Sequence, residues 1–129
     1  MANRDTDVIK TPKDNVQILT ARIVGGGAAT NPTLPEAAFY GGGEIATCIY
    51  AGSTGTYTGT FRKKYPELLS LGRPMIVGTT AGLHIRFTAI DVAAGTFAFT
   101  AEVNATATDI ATADTVYFTW VVRNSGRNR

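Results

Sequence analysis

The sequence has one cysteine, Cys48, and one histidine, His84, among its 129 residues. A single cysteine excludes an internal disulfide framework and a metal site built from clustered cysteines. It is typical of a protein assembled in a reducing cytoplasm, where we expect Cys48 to be a small buried hydrophobic residue. His84 lies beside apolar residues in a predicted strand, so we expect it to have a structural or surface role.

Charge is also scarce, because charged residues make up 17% of the chain rather than the usual quarter. Low charge favours association of a protein with other molecules. The net charge of +2 comes from Arg123, Arg127 and Arg129 at the end of a nearly neutral chain, whereas a nucleic-acid reader usually has a basic stripe across its fold. No apolar run approaches the roughly 18 residues of a membrane span. We therefore expect neither nucleic acid nor membrane as a partner.

Residues that could perform catalysis are few and scattered. No serine lies in a nucleophile-elbow sequence with glycine two residues to each side. An alternative is a glycan hydrolase with two catalytic acids, but the candidate acids show no evident convergence along the predicted strands. These candidates are Glu44, Glu67, Asp91 and Glu102. The sequence therefore predicts a protein that is not an enzyme and has no catalytic residues and no cofactor.

Asp109 and Asp114 flank a predicted loop and are the residues that could offer oxygen ligands to a hard cation such as calcium. Their spacing matches no Asp-rich calcium loop. Aspartate in such a loop commonly bonds to nearby backbone groups. We expect these two residues to organise turns and predict no metal site.

The distribution of strand and turn residues predicts one all-β domain. Residues 1–15 mix both charges with few apolar residues, which is typical of an extended N-terminal arm. Residues 16–129 form the single β-sandwich domain, interrupted by a long Gly/Pro loop at about 25–43. Short β-rich runs separated by glycine-bearing turns are typical of sandwiches and barrels. The predicted strands are Val16–Val24, Glu44–Tyr50, Gly55–Phe61, Pro74–Thr79, His84–Asp91, Thr96–Asn104 and Thr115–Arg123.

Alternation of side chains predicts which strand faces are buried. In the last strand Val116, Phe118, Trp120 and Val122 form one apolar face, and the opposite face is only half polar. That strand is therefore expected to be covered on both sides. Residues 91–95 predict a hairpin turn that uses Gly95. Residues 64–71 have helical spacing and predict a short helical connector.

The strands and turns from Gly55 to Asn124 resemble small virion proteins of tailed bacteriophages that have a complement-C1q or tumour-necrosis-factor-like jelly roll. The resemblance covers a little over half of the chain. The matching segments are residues 54–58 before Phe61, residues 65–69, residues 89–96 and residues 121–125. The fold that it implies is an antiparallel β-sandwich of the jelly-roll type.

The resemblance implies a homotrimer that binds the outer surface of a phage head as a cement or decoration protein. The expected partners are the protein itself and the major capsid protein, and the expected location is the capsid surface of a virion assembled in the host cytoplasm. The alternative is a tail fibre or receptor-binding jelly-roll domain that contacts the host surface. The candidate capsid-contact residues of the arm are Val8, Ile9, Lys10 and Pro12. The candidate trimer-interface residues are Tyr57, Phe61, Phe118 and Trp120.

Overall fold

The computed structural model describes residues 8–10, 16–34 and 45–123. Within these ranges the chain is all-β, and every strand pairing is antiparallel. The strands are β1 (Val8–Lys10), β2 (Val16–Val24), β3 (Ile45–Tyr50), β4 (Thr56–Phe61), β5 (Glu67–Leu71), β6 (Met75–Val77), β7 (Leu83–Asp91), β8 (Thr96–Val103), β9 (Thr106–Ala107) and β10 (Thr115–Arg123).

The strands form two five-stranded sheets that pack as a sandwich. Sheet A has the order β1-β2-β10-β5, and β6 pairs with the beginning of β10 on the same side as β5. Sheet B has the order β3-β4-β8-β7, and β9 pairs with the end of β8. The predicted antiparallel β-sandwich is therefore confirmed.

The core consists of alternate side chains from the facing sides of the two sheets. On β10 the residues Val116, Phe118, Trp120 and Val122 are all buried, as the alternation predicted. Aromatic rings join the sheets directly, since Trp120 of sheet A lies 5.0 Å from Phe61 of sheet B between ring centroids. Such pairs add roughly 0.5–1.5 kcal/mol each to the effect of area burial.

The hairpin turn after β7 is confirmed. Gly95 has a φ of +80°, a region that glycine enters without steric penalty. Its N–H donates to the carbonyl of Asp91 (2.8 Å), and the Ala94 N–H donates to Asp91 Oδ1 (3.0 Å). These bonds close the connection and set the register of β7 on β8.

The predicted helical connector at residues 64–71 is wrong, because Glu67–Leu71 is strand β5. Its backbone pairs with the side of β10 that would otherwise be open. Leu68 lies opposite Val122 and packs against the core, whereas Leu69 and Leu71 are exposed. A short apolar run of this kind fits a helix or a strand equally well, and the available sheet edge decides between them.

The expectation that β10 is covered on both faces is also wrong. Tyr117 is 40% exposed and Thr119 is exposed, so the outer face of sheet A is open in the described structure. The apolar side chains on this face of β10 therefore belong to an exposed surface and do not form a second core.

Candidate interaction surfaces

The four candidate trimer-interface residues lie in the core of one chain. Tyr57, Phe61, Phe118 and Trp120 are between 0% and 6% exposed. Their strands direct them between the sheets, where their rings contact one another and Phe99. The expectation that they contact a second copy is therefore wrong, because these side chains offer no surface to a partner.

Among the described residues, most of the exposed large apolar side chains lie in one region of sheet A. In these ranges six large apolar side chains are exposed, and five of them lie on β10 or on its neighbours β5 and β6. We call these five residues the sheet A apolar surface. Met75 and Val77 are the most exposed, at 65% and 63%. Apolar groups concentrated in this way commonly mark a protein-binding site. The sheet A apolar surface consists of Leu69, Leu71, Met75, Val77 and Tyr117.

The pairing of β5 and β6 with β10 creates this surface. Met75 lies opposite Tyr117, and in an antiparallel pair such residues project to the same face. Between the two strands, the Gly72 N–H donates to the carbonyl of Thr119 (2.9 Å), which keeps the chain against β10. An ion pair between Arg123 Nε and Glu67 Oε1 (3.1 Å) lies at the far end. Met75, Val77 and Tyr117 thus share the outer face of sheet A. Leu71 lies opposite the buried Trp120 and is exposed at the edge of the same sheet.

The outer face of sheet B has a different chemistry. A shallow groove of about 350 Å³ runs over β3, β4, β8 and β7. Threonines and alanines dominate its lining, and no lining residue is charged. Thr47 and Thr60 share a hydrogen bond between their hydroxyl oxygens (2.8 Å). The groove residues are Thr47, Ile49, Thr58, Gly59, Thr60, Ala89, Thr96, Phe97 and Ala98.

His84 belongs to a polar cluster on sheet B. Its Nε2 lies 3.2 Å from Glu102 Oε1, and Arg86 Nη2 lies 2.9 Å from Glu102 Oε2. The hydrogen bond from Arg86 is the main cause of a pKa of Glu102 below the ordinary value for glutamate. The cluster joins β7 to β8 and gives the histidine the surface role that its neighbours suggested.

Asp114 is fully buried and holds the turn between β6 and β7. Its Oδ1 accepts the N–H groups of Thr79 (2.7 Å) and Thr80 (3.1 Å), and its Oδ2 accepts the Thr80 hydroxyl. Burial opposes ionisation, but the hydrogen bonds outweigh it and lower the pKa of this carboxyl. A Cβ at position 78 would collide with Asp114, so Gly78 permits the close approach.

Asp109 joins two loops at the same end of the sandwich. Its Oδ2 accepts the Ala29 N–H (3.0 Å), and its Oδ1 accepts the Gly55 N–H (2.7 Å). Asp109 and Asp114 therefore both bond to backbone groups. This is the role that the sequence predicted for them in preference to calcium binding. In residues 8–10, 16–34 and 45–123 no three His, Cys, Asp or Glu side chains are grouped closely enough to hold a metal ion.

The candidate acids of the glycan hydrolase alternative are not brought together by the described strands. Glu67 lies on sheet A and pairs with Arg123, whereas Asp91 and Glu102 lie at opposite ends of the β7–β8 ladder in sheet B. Glu44 lies outside the described residues. The described geometry thus provides no pair of facing carboxylates from this set.

Part of the predicted arm is a strand of the same chain. Residues 8–10 form β1, which pairs with β2 in the register Val8 to Leu19, Ile9 to Ile18 and Lys10 to Gln17. Pro12 lies outside the described residues. The role of Val8, Ile9, Lys10 and Pro12 in capsid contact stays a prediction. The backbone of the first three is already paired to β2 of sheet A.

Cys48 is 3% exposed, and burial raises the pKa of its thiol to about 12. Because the thiolate is the reactive form, we expect iodoacetamide at pH 8 to leave native Cys48 unmodified and to alkylate it fully in denaturant. Mass spectrometry of the intact protein measures the extent of alkylation in the native state and in denaturant. Rapid alkylation of the folded protein would contradict the burial described.

The comparisons with known proteins do not identify the chain. No protein-family model, no curated protein and no solved structure matches it. In the part of the chain that the structure describes, no helix is long and apolar enough to cross a membrane.

Sequence reasoning missed the sheet A apolar surface, although a signal for it exists. Met75 and Val77 are two residues apart, and so are Leu69 and Leu71, and this is the spacing of one face in a regular strand. β5 is irregular at Leu69, so the second pair does not follow the simple alternation. The helical interpretation of residues 64–71 concealed this second pair. The first pair lay in a predicted strand whose exposed face could not be assigned without its partner strand.

Proposed function

We propose that this protein is a structural virion protein of the capsid cement or decoration type, which assembles as a trimer and binds the outside of a phage head. The observation that supports assembly is the sheet A apolar surface, where five large apolar side chains lie exposed on one region of the sandwich. The phage assignment and the trimeric state come from the resemblance of residues 55–124.

The trimer contact is assigned to the sheet A apolar surface because the aromatic residues first considered are buried. Burial of apolar area contributes about 25 cal/mol per Å², so covering Met75, Val77 and Tyr117 favours association. The low charge of the chain reduces the electrostatic repulsion that would oppose close packing of copies. The arm and loops then remain available for the major capsid protein.

We expect Met75→Lys to weaken the trimer by tenfold or more, because a lysine ammonium would have to lose water in an apolar contact. Light scattering over a range of concentrations measures the change, and circular dichroism checks the fold. The matched control is Ala93→Lys, which adds the same charge to the exposed β7–β8 turn and should leave the mass unchanged. Equal effects of the two variants would contradict the assigned contact.

Binding assays with phage heads and with host cells distinguish a decoration protein from a tail fibre or receptor-binding domain. A decoration protein should bind saturably in cosedimentation to phage heads assembled without it and should not bind host cells. A tail fibre or receptor-binding domain should give the opposite result. The loops held by Asp109, residues 25–33 and 51–55, are uncharged and consist mainly of glycine, alanine and small polar residues. They are the described feature that favours this second candidate.

A further inference from the structure

The four edges of the two sheets differ in how they are protected against pairing with another chain. Natural sheet edges usually carry charged residues or proline, which discourage the addition of a further strand. Three of the edges, formed by β1, by β5 with β6, and by β7, follow this rule. Their charged or proline residues include Lys10, Glu67, Arg73, Pro74, Arg86 and Asp91.

Within residues 45–61, the edge formed by β3 carries neither a charged residue nor a proline. The whole β3–β4 hairpin, residues 45–61, contains no Asp, Glu, Lys, Arg, His or Pro. Ile49 of β3 is 47% exposed and is the one exposed large apolar residue that the described structure places on sheet B. In the described structure β3 is the last strand of its sheet. An uncharged edge with an exposed isoleucine favours strand pairing.

The hydrogen bonds around β3 show which backbone groups face this edge. The Ala51 N–H donates to the carbonyl of Thr56 on the β4 side (2.9 Å). Since alternate residues of a strand bond to opposite sides, the groups of Tyr50 and Cys48 face away from β4. The Tyr50 N–H indeed donates to Asn31 Oδ1 (2.8 Å). Cys48 therefore presents its N–H and carbonyl at the part of the edge beyond Asn31.

We propose that β3 pairs with β3 of a second copy in antiparallel orientation about a two-fold axis at Cys48. In this register the two Cys48 residues exchange their backbone hydrogen bonds, and Thr47 of each copy lies opposite Ile49 of the other. The pairing is confined to residues 47–49 of each copy, because Asn31 already accepts the Tyr50 N–H. The absence of charge on both strands removes the like-charge repulsion that opposes pairing of identical edges. The pairing uses a different surface from the proposed trimer contact and would link trimers on a head.

Cross-linking between two single variants tests this register. Directly opposite residues in a non-hydrogen-bonded pair have Cα atoms about 4.5 Å apart, within the range of disulfides. We expect oxidation of a concentrated mixture of Thr47→Cys and Ile49→Cys, carrying tags of different size, to give disulfide-linked heterodimers on a non-reducing gel. The buried thiol of Cys48 should not interfere.

The control mixture is Thr47→Cys with Thr58→Cys. Thr58 lies opposite Ile49 within the same chain and is exposed, but it is one strand away from the edge. A heterodimer yield at least tenfold higher with Ile49→Cys supports the pairing. Equal yields, or no heterodimer in either mixture, would overturn it.

A charge placed at the edge provides a second test that does not depend on oxidation. Ile49→Lys should reduce the concentration-dependent association of copies by tenfold or more, whereas Thr58→Lys should leave it unchanged. Both variants are measured in a Met75→Lys background, so that the sheet A contact does not contribute. Equal association of the two double variants would contradict pairing at β3, whatever the outcome of head binding.

Discussion

Trp120→Ala is expected to lower the free energy of unfolding by about 3–5 kcal/mol, the usual loss when a large buried aromatic side chain is removed from a core. The Trp120 side chain is fully buried and contacts rings of both sheets, including Phe61 and Phe87 of sheet B. Its removal therefore leaves a cavity at the junction of the sheets. Chemical denaturation followed by circular dichroism measures the loss.

Tyr117→Ala is the matched control, because Tyr117 lies on the same strand but projects to the outer face. It is 40% exposed, so we expect a loss of at most about 1 kcal/mol, in line with ordinary surface substitutions. Its effect should instead be on the mass of the assembled protein. If Trp120→Ala unfolded at the same denaturant concentration as the wild type, the assignment of the aromatic residues to the core would be wrong.

Asp114→Ala is expected to lower the free energy of unfolding by roughly 3 kcal/mol, because hydrogen bonds to a charged group contribute about 1.5–3 kcal/mol each. The substitution leaves the N–H groups of Thr79 and Thr80 without their acceptor. Asp109→Ala also removes an acceptor of two backbone N–H groups, but Asp109 is only partly buried and a smaller loss is expected. Denaturation of the two variants under the same conditions compares them.

The pH dependence of stability distinguishes the contribution of the Asp114 charge from the contribution of the side-chain shape. Because its folded-state pKa is lowered, its ionisation contributes stability that is complete above the pKa of an unfolded aspartate, about 4. That contribution is lost as the pH falls through the lowered folded-state value. Asp114→Asn should therefore differ from the wild type most at neutral pH and least in acid. A difference that did not change with pH would contradict a role for the charge.

The core strands could be predicted from the sequence because each strand has one apolar face. β2 and β10 begin and end at the predicted residues, since both have long alternating runs and lie next to each other in sheet A. Gly95 likewise identified the turn between β7 and β8. In these segments local preference and tertiary packing require the same structure.

The surfaces could not be predicted in the same way, because a strand sequence does not show which apolar face meets the other sheet. Phe118 and Tyr117 are adjacent aromatic residues, yet one is buried and the other is exposed. β5 was missed because its strand conformation depends on pairing with β10, which lies much later in the chain. The four proposed interface aromatics were therefore core residues, and most of the exposed apolar residues lay on β5 and β6, beside β10.

The molar mass of the protein in solution tests the proposed assembly most directly. The measurement uses light scattering on Ile49→Lys, so that pairing at β3 does not contribute, with the full chain and with a chain that lacks residues 1–15. The chain mass is 13.6 kDa, and we predict three times this mass for the full chain and a trimer that survives the deletion. A single chain mass at every concentration for both proteins would contradict an assembly built on the sheet A apolar surface.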